Sequence, residues 1–255
     1  MKTAHELQLM KGREKIAVLT AYTYPMARCM DGIVDVILVG DSLGMVILGQ
    51  ESTREVTMHD MLRHTAAVAR GAQSTFIIGD MPYASYATPQ EAVTNATAFL
   101  AAGAQGIKIE GSHPEVVSAL IAAGIPVMGH VGLTPQTVSE FKVQGRDRES
   151  AERILNEAIA SEQAGCFSIV LECIPQELAK KITQRLRIPT IGIGAGPSCD
   201  GQVLVSHDLL GLYDRLKPKF VKQYVNLCGI MKDTFMKYRD DVKKQQFPTH
   251  EHSYS

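Results

Sequence analysis

The chain has 255 residues, of which 45% are hydrophobic and 21% charged, a balance typical of a globular protein with a sizeable buried core. Lys and Arg number 26 against 27 Asp and Glu, and this net charge of -1 leaves no electrostatic footprint for nucleic acid. No apolar run approaches the roughly 20 residues that span a bilayer, and Met1 to Lys15 contain no export signal. We therefore expect a cytoplasmic protein with neither a nucleic-acid nor a membrane partner.

Short runs rich in Val, Ile and Leu recur along the chain, bounded by Gly, Asp or Glu. Such runs are typical of parallel strands that are buried on both faces. The last run is weaker than the others. In chain order the predicted strands are residues 16–20, 34–39, 75–79, 106–109, 126–129, 167–171, 189–193 and 209–213.

Amphipathic stretches of helical composition separate these runs. Strand followed by helix, repeated eight times, predicts an α/β fold of the closed (β/α)₈ barrel type. An open doubly wound sheet is the alternative, because it has the same alternation. We predict one barrel domain over residues 1–255, with an N-terminal helix and a C-terminal helical extension. Examples of the predicted helices are residues 57–70, 89–102, 114–123, 151–164 and 175–186.

An internal repeat supports the barrel. Gly103 precedes Glu110 by seven residues, and Gly165 precedes Glu172 by the same distance. The next strand begins with the similar sequences IPVMG in the first copy and IPTIG in the second. Two consecutive strand–helix units therefore repeat with nearly constant spacing.

Three other features have ordinary structural explanations. Residues 192–196 (GIGAG) lack the third Gly of a dinucleotide fingerprint, which would fall at Pro197, so a tight turn or part of an anion-binding loop is favoured. Apolar residues at helical spacing in 217–246 predict a helix packed on the barrel or on a neighbouring subunit. The cysteines are odd in number, show no C-x-x-C spacing and are expected to be reduced thiols: Cys29, Cys166, Cys173, Cys199 and Cys228.

Four carboxylates follow predicted strands. In a (β/α)₈ barrel the carboxyl ends of the strands form the active site, so these side chains should converge. Clustered carboxylates repel one another unless a cation is present, and oxygen donors favour a hard ion such as Mg²⁺. We expect Asp41, Asp80 and Glu110 to bind Mg²⁺ directly or through water, whereas a single Asp in such a position would more often cap a helix. The four residues are Asp41, Asp80, Glu110 and Glu172.

Lys108 and Glu172 differ in their expected roles. Lys108 lies two residues before Glu110, so both side chains point toward the barrel interior. It could bind a substrate carboxylate or enolate oxygen, or it could pair with a neighbouring carboxylate. Glu172 has Val170 in the corresponding position, and a carboxylate with less cationic compensation keeps a higher pKa, which suits a general base.

The histidines give a weaker signal. His130 follows the fifth predicted strand and could contact substrate or form a hydrogen bond within the core. His59, His64 and His207 show no H-x-x-x-H or H-E-x-x-H spacing, so zinc protease chemistry is not supported.

Seven short motifs occur along the chain, and their combination in this order is a more specific family signature than any single motif. They are GDSLGMVILG (40–49), GDMPYASY (79–86), KIEG (108–111), GHVGLTPQ (129–136), KVQGR (142–146), LECIP (171–175) and IGIGAG (191–196), the last followed by DGQ. Together they resemble the ketopantoate hydroxymethyltransferase family along nearly the whole chain.

The resemblance implies a (β/α)₈ barrel of the phosphoenolpyruvate mutase and isocitrate lyase type, acting in pantothenate biosynthesis. It implies 3-methyl-2-oxobutanoate and 5,10-methylenetetrahydrofolate as substrates, Mg²⁺ as the metal, and a homo-oligomer, a decamer by analogy. By motif, Asp41, Asp80 and Glu110 match the metal positions and Glu172 the proton acceptor. The positions at which the family contacts the oxo acid correspond here to Asp41, Ser42, Asp80 and Lys108.

Three positions depart from the usual family pattern. Thr23 stands where relatives commonly have Asp, and Ser112 replaces a Gly. The segment 134–142 is shorter than usual, which we expect to alter a mobile flap and folate handling. The alternative function is a carbon–carbon lyase or aldolase acting on a 2-oxo acid, which would use the same metal and enolate chemistry but typically needs a loop cysteine that we do not find.

Overall fold

The computed structural model describes residues 1–137, 142–215 and 217–254. These residues divide into two units, one from Met1 to Val205 and one from Ser206 onward. The prediction of a single domain over residues 1–255 therefore stays a prediction.

The first unit is a closed barrel of parallel strands in the order β1 to β8. Closure comes from β1 and β8, which pair in parallel with Val18 opposite Val203. This closure confirms the predicted (β/α)₈ barrel and excludes the open doubly wound sheet. The strands are β1 Ile16–Thr20, β2 Val36–Val39, β3 Phe76–Asp80, β4 Gly106–Lys108, β5 Val127–Gly132, β6 Ser168–Glu172, β7 Thr190–Ile193 and β8 Gly201–Leu204.

The predicted eighth strand was wrong. Residues 209–213 are not a strand, and Ser206–Leu210 is a short helix, α9. The true β8 carries the exposed Gln202 between buried Gly201 and Val203, so it has no continuous apolar run to detect. Gly201 is required there because a Cβ atom would lie 2.4 Å from the Ile16 carbonyl oxygen.

Helices α1 to α8 occupy the first unit, and the five predicted helices are present with small shifts at their ends. Several begin at polar caps: Thr57 and Asp60 form a capping box at α4, and Asp147 caps α7. The helices are α1 Ala4–Leu9, α2 Tyr24–Met30, α3 Leu43–Val46, α4 Met58–Gly71, α5 Pro89–Ala101, α6 Pro114–Ala122, α7 Arg148–Gln163 and α8 Gln176–Arg185, and Thr53–Glu55 is a 3₁₀ turn.

The internal repeat has a structural cause at the ends of α5 and α7. Gly103 and Gly165 follow these helices with φ values of 104° and 109°, a backbone conformation that glycine adopts readily. Space is limited at both positions, since a Cβ atom on Gly103 would lie 2.5 Å from the Ala69 Cβ atom. The two copies therefore end their helices in the same way before entering β4 and β6.

Helix α1 contributes to the core inside the barrel. Leu7 and Met10 are buried in one apolar cluster with side chains from strands around the barrel, such as Val18 and Val203. Just after the helix, the Lys11 ammonium lies 2.7 Å from the Asp200 carboxylate, which also accepts from the Thr190 backbone N–H at 2.9 Å. The N-terminal segment is thus fixed to the β7 and β8 region.

We expect Leu7→Ala to lower the free energy of unfolding by about 2–5 kcal/mol, because it leaves a cavity in this cluster. Leu9 is the matched control on the same helix, since its side chain is 49% exposed against 1% for Leu7. Leu9→Ala should change stability by no more than about 0.5 kcal/mol. Urea unfolding followed by circular dichroism measures both. Equal losses in the two variants would contradict the packing of α1 into the core.

The second unit contains α9, the longer helix α10 (Leu227–Lys243) and a 3₁₀ turn at His250–His252. Asn226 caps α10 by accepting from the Gly229 backbone N–H at 3.1 Å. The helix predicted within residues 217–246 is therefore present, and its packing against the barrel or another subunit stays a prediction. Across the described ranges, no helix is long and apolar enough to cross a membrane.

Candidate active site

The four sequence-predicted carboxylates lie at the carboxyl ends of β2, β3, β4 and β6. Asp80 and Glu172 are the last residues of β3 and β6, Asp41 follows β2 by two residues, and Glu110 follows β4 by two residues. Asp41, Asp80 and Glu110 are buried, and Glu172 is largely so. The barrel therefore collects these acidic side chains at one end, as parallel strands require.

Strand register brings Asp80 and Lys108 together. They are direct partners in the β3–β4 pairing, so their side chains point to the same side of the sheet. The Lys108 ammonium donates to both Asp80 carboxylate oxygens, at 2.7 and 2.9 Å. Of the two roles left open for Lys108, the structure contains the ion pair. An ammonium has three donors, so a substrate oxygen can still bind.

Asp41 lies against Asp80, and no cationic side chain of the described residues forms an ion pair with it. The Asp41 backbone N–H lies 3.4 Å from Asp80 Oδ2, and a Cβ atom on the preceding Gly40 would lie 2.9 Å from the Ser42 hydroxyl oxygen. Burial and the neighbouring Asp80 charge raise the pKa of Asp41 to about 7. The site therefore holds more negative charge than Lys108 neutralises.

Glu110 adds to this excess. Its Oε1 atom is 3.8 Å from the Lys108 ammonium, beyond hydrogen-bond distance, and burial together with Asp41 and Asp80 raises its pKa well above the usual range. Three buried carboxylates share one ammonium. A divalent cation would balance this charge, and oxygen-only donors favour Mg²⁺ over softer metals.

Direct coordination by all three carboxylates is not preformed. Within the described ranges, no three side chains of Asp, Glu, His and Cys are grouped so that they could hold a metal ion. Mg²⁺ commonly uses one or two carboxylates and completes its octahedron with water and substrate oxygens. The donor set thus fits Mg²⁺ held partly through water.

Glu172 has the properties expected of a base. Burial raises its pKa to about 8, and the Asp41 and Asp80 charges act in the same direction. The next residue, Cys173, has a φ of 47°, which is uncommon for a residue with a side chain, and its N–H donates to the Ile193 carbonyl oxygen at 2.8 Å. This backbone arrangement fixes the end of β6 beside β7.

His130 is a neutral imidazole in the centre of the site. Its Nε2 atom lies 2.6 Å from the Leu133 carbonyl oxygen, which can only accept, so Nε2 carries the proton. Burial and the Lys108 charge hold the His130 pKa well below its usual value. Nε2 also lies 3.5 Å from a Glu172 carboxylate oxygen, and Nδ1 is buried with no hydrogen-bond partner among the described residues. A lone pair of Nδ1 is therefore available to a bound molecule or water.

Ser42 and Gln136 each form a hydrogen bond with a tyrosine hydroxyl. The Ser42 hydroxyl is 2.8 Å from the Tyr22 hydroxyl. The buried Gln136 amide donates to Asp41 at 2.9 Å and accepts from the Tyr86 hydroxyl at 2.7 Å. Sequence reasoning did not single out Gln136 or Tyr86, although they close the motifs GHVGLTPQ and GDMPYASY.

Cys166 and Cys173 do not provide a nucleophile near neutral pH. All five cysteines are free thiols. Burial raises the pKa of Cys166 and of Cys173, the cysteine beside Glu172, to about 12. Neither is ionised near neutral pH, and only the thiolate is reactive.

Of the three departures from the family pattern, Thr23 precedes α2 without a side-chain capping hydrogen bond. Residues 138–141 of the shortened 134–142 segment lie outside the described residues, and its effect stays a prediction.

A family profile described as ketopantoate hydroxymethyltransferase matches residues 1–250. The chain belongs to the ketopantoate hydroxymethyltransferase family. This confirms the resemblance drawn from the seven motifs.

Two relatives show how far the family similarity extends. A protein of Nitratidesulfovibrio vulgaris (strain DP4), named 3-methyl-2-oxobutanoate hydroxymethyltransferase, is 50% identical over 260 aligned residues, covering 99% of this chain and 85% of that protein. A protein of the same name from Syntrophus aciditrophicus (strain SB) is 52% identical, covering 96% of this chain and 93% of that protein. The sequence similarity to this family therefore extends over both the barrel and the C-terminal unit.

Solved structures agree with the fold. A phosphonopyruvate hydrolase, in complex with oxalate and Mg²⁺, superposes with a TM-score of 0.68 at 13% identity, covering 99% of this chain and 93% of that one. A 2,3-dimethylmalate lyase of the phosphoenolpyruvate mutase and isocitrate lyase superfamily gives 0.64 at 17% identity, covering 95% and 89%. These likenesses confirm the predicted barrel type for this member of the ketopantoate hydroxymethyltransferase family.

Proposed function

We propose that this chain transfers a hydroxymethyl group from 5,10-methylenetetrahydrofolate to 3-methyl-2-oxobutanoate, giving 2-dehydropantoate for pantothenate and coenzyme A synthesis. The relatives at about half identity carry the name of this activity. The observation that supports its chemistry best is a carboxylate of raised pKa, Glu172, at the same barrel end as the buried ammonium of Lys108.

Glu172 removes the proton at C3 of the oxo acid. A base works best when its pKa lies near the working pH, and burial brings the pKa of Glu172 to about 8. The Glu172 carboxylate lies 3.5 Å from the Nε2 atom of His130, whose N–H is directed to the Leu133 carbonyl oxygen. The imidazole therefore borders the base without neutralising it.

Lys108 stabilises the enolate that results. Its ammonium is buried and forms an ion pair with Asp80, so water does not screen its attraction for an oxygen anion. Ser42 and His130 are the further proposed substrate contacts, through the Ser42 hydroxyl and the Nδ1 lone pair of His130. Asp41 and Asp80 are proposed to contact the oxo acid through the shared cation.

Magnesium is the proposed metal, held by Asp41 and Asp80, with Glu110 binding directly or through water. When bound, Mg²⁺ would polarise the ketone and so lower the cost of removing the C3 proton. The enolate carbon bonds to the methylene carbon of the folate as one of the two C–N bonds of that carbon breaks. Water then supplies the hydroxyl group as the second C–N bond breaks, and tetrahydrofolate leaves with the proton taken from C3 and one proton from water. We also propose a cytoplasmic homo-oligomer, a decamer by analogy with the family.

Proton exchange at C3 tests the first half of this reaction. With folate omitted, NMR in D₂O should show loss of the C3 proton of 3-methyl-2-oxobutanoate when enzyme and Mg²⁺ are present, and little loss in EDTA. With the folate added, 2-dehydropantoate should form.

Two results would contradict the proposal. One is the absence of both exchange and product in complete mixtures. The other is exchange that proceeds equally well in EDTA, which would remove magnesium from the assignment while retaining the base.

A further inference from the structure

We propose that Gln136 is a positioning residue that sets the Asp41 and Glu110 carboxylates for a divalent cation. The inference rests on the proposed function, because it concerns the proposed magnesium site. Gln136 lies in the loop after β5 and its side chain is 0% exposed. A buried amide must find hydrogen-bond partners, and those partners indicate what the residue does.

The amide of Gln136 is satisfied in one orientation only. Nε2 donates to Asp41 Oδ2 at 2.9 Å and to the Met81 carbonyl oxygen at 3.0 Å. Both of these atoms are acceptors, so an oxygen in place of Nε2 would be repelled by them. Oε1 accepts from the Tyr86 hydroxyl at 2.7 Å. The Asp41 carboxylate therefore accepts a hydrogen bond from an N–H group whose orientation is fixed.

The backbone of the same residue holds a second carboxylate. The Gln136 N–H donates to Glu110 Oε2 at 3.1 Å. One residue thus binds carboxylates that follow two different strands, β2 and β4. Tyr86 strengthens the connection, because its hydroxyl lies 3.4 Å from the Glu110 backbone N–H.

These contacts matter because, within the part of the chain that the structure describes, neither carboxylate has a cation within hydrogen-bond distance. The Lys108 ammonium is engaged by Asp80, and it is 3.8 Å from the Glu110 carboxylate. The neutral donors of Gln136 fix the directions of the Asp41 and Glu110 oxygens and leave the negative charge of the site in place. Partners of metal ligands with this arrangement typically contribute 10- to 100-fold to metal affinity.

The test is Gln136→Met, a side chain of similar length without donors. Isothermal titration of the full chain with Mg²⁺ and with Mn²⁺ should give affinities about 10- to 100-fold weaker than those of the unaltered protein. The Mg²⁺ concentration for half-maximal activity should rise by the same factor, and kcat at saturating Mg²⁺ should largely recover. Gln163→Met, at the exposed end of α7, is the matched control and should bind both ions normally.

Tyr86→Phe provides a second variant that leaves Gln136 in place. It removes the donor that orients the amide, and we expect metal affinity about 3- to 10-fold weaker. Since the shorter hydrogen bond of Tyr86 is the one to Gln136, the losses of metal affinity in the double variant should be less than additive.

The outcomes separate this inference from the function on which it rests. If the unaltered protein binds neither ion, the magnesium site itself fails and the inference with it. If it binds them and a folded Gln136→Met binds equally well, only the inference fails, even when its thermal stability is reduced. Should Gln136→Met not fold, Tyr86→Phe decides, and unchanged affinity in that variant rejects the role of Gln136.

Discussion

Replacing Glu172 with Gln should reduce C3 proton exchange by about 10²- to 10⁴-fold, the range that a general base contributes. The amide keeps the size of the side chain but cannot accept the proton. Because burial raises the pKa of Glu172 to about 8, and the Mg²⁺ needed for exchange favours the ionised carboxylate, the exchange rate of the unaltered enzyme should rise with pH and level off near or below pH 8. A bound cation would move this rise to lower pH. NMR exchange rates measured between pH 6 and 9 test both statements.

Glu177→Gln is the matched control for this experiment. Glu177 is exposed in the first turn of α8, five residues along the chain, and its replacement should leave the rate and the pH profile unchanged. Exchange that persists undiminished in Glu172→Gln would assign the proton to another group.

Replacing Lys108 with Met should remove activity and lower the free energy of unfolding by about 3–5 kcal/mol in EDTA, because it leaves buried carboxylates without their cation. Lys108 lowers the pKa of Asp41, which even so stands at about 7 against 3.8 for a free Asp. A carboxyl whose folded pKa exceeds its unfolded value stabilises the fold at low pH and loses that contribution as pH rises through the folded pKa. Without Lys108 the folded pKa of Asp41 rises further, so the variant continues to lose stability above pH 7, where the unaltered protein no longer does. The destabilisation caused by Lys108→Met should therefore be larger at pH 8 than at pH 6.

Two further variants identify charge as the cause. In Asp80→Asn with Lys108→Met, one carboxylate and its partner are removed together, so the double variant should be more stable than Lys108→Met alone. Lys181→Met, on the exposed face of α8, should change stability little. Guanidinium unfolding with equal losses for the single and the double variant would point to packing instead of charge.

Much of the barrel was predictable because buried parallel strands leave continuous apolar runs. β1 was predicted with its observed ends, and the carboxylates after β2, β3, β4 and β6 were located by the rule that strand ends meet at one face. β8 escaped because its exposed Gln202 interrupts the apolar pattern. A search for continuous apolar runs therefore misses a strand whose exposed position carries a polar residue.

The contacts within the site were beyond reach of the sequence. The role of Lys108 stayed open because its pairing with Asp80 depends on the register of β3 and β4. Gln136 and Asp41 are 95 residues apart, and no local pattern connects them.

The closure of the barrel also has a consequence for biosynthesis. The Asp200 partner of Lys11 lies 189 residues later in the chain, and β1 cannot pair with β8 until β8 has been synthesised. At about 5 to 20 residues per second, a ribosome delivers that partner about 10 to 40 s after Lys11. During this interval the apolar faces of α1 and β1 lack their final neighbours, so the nascent chain depends on chaperones or on temporary contacts among its earlier strands.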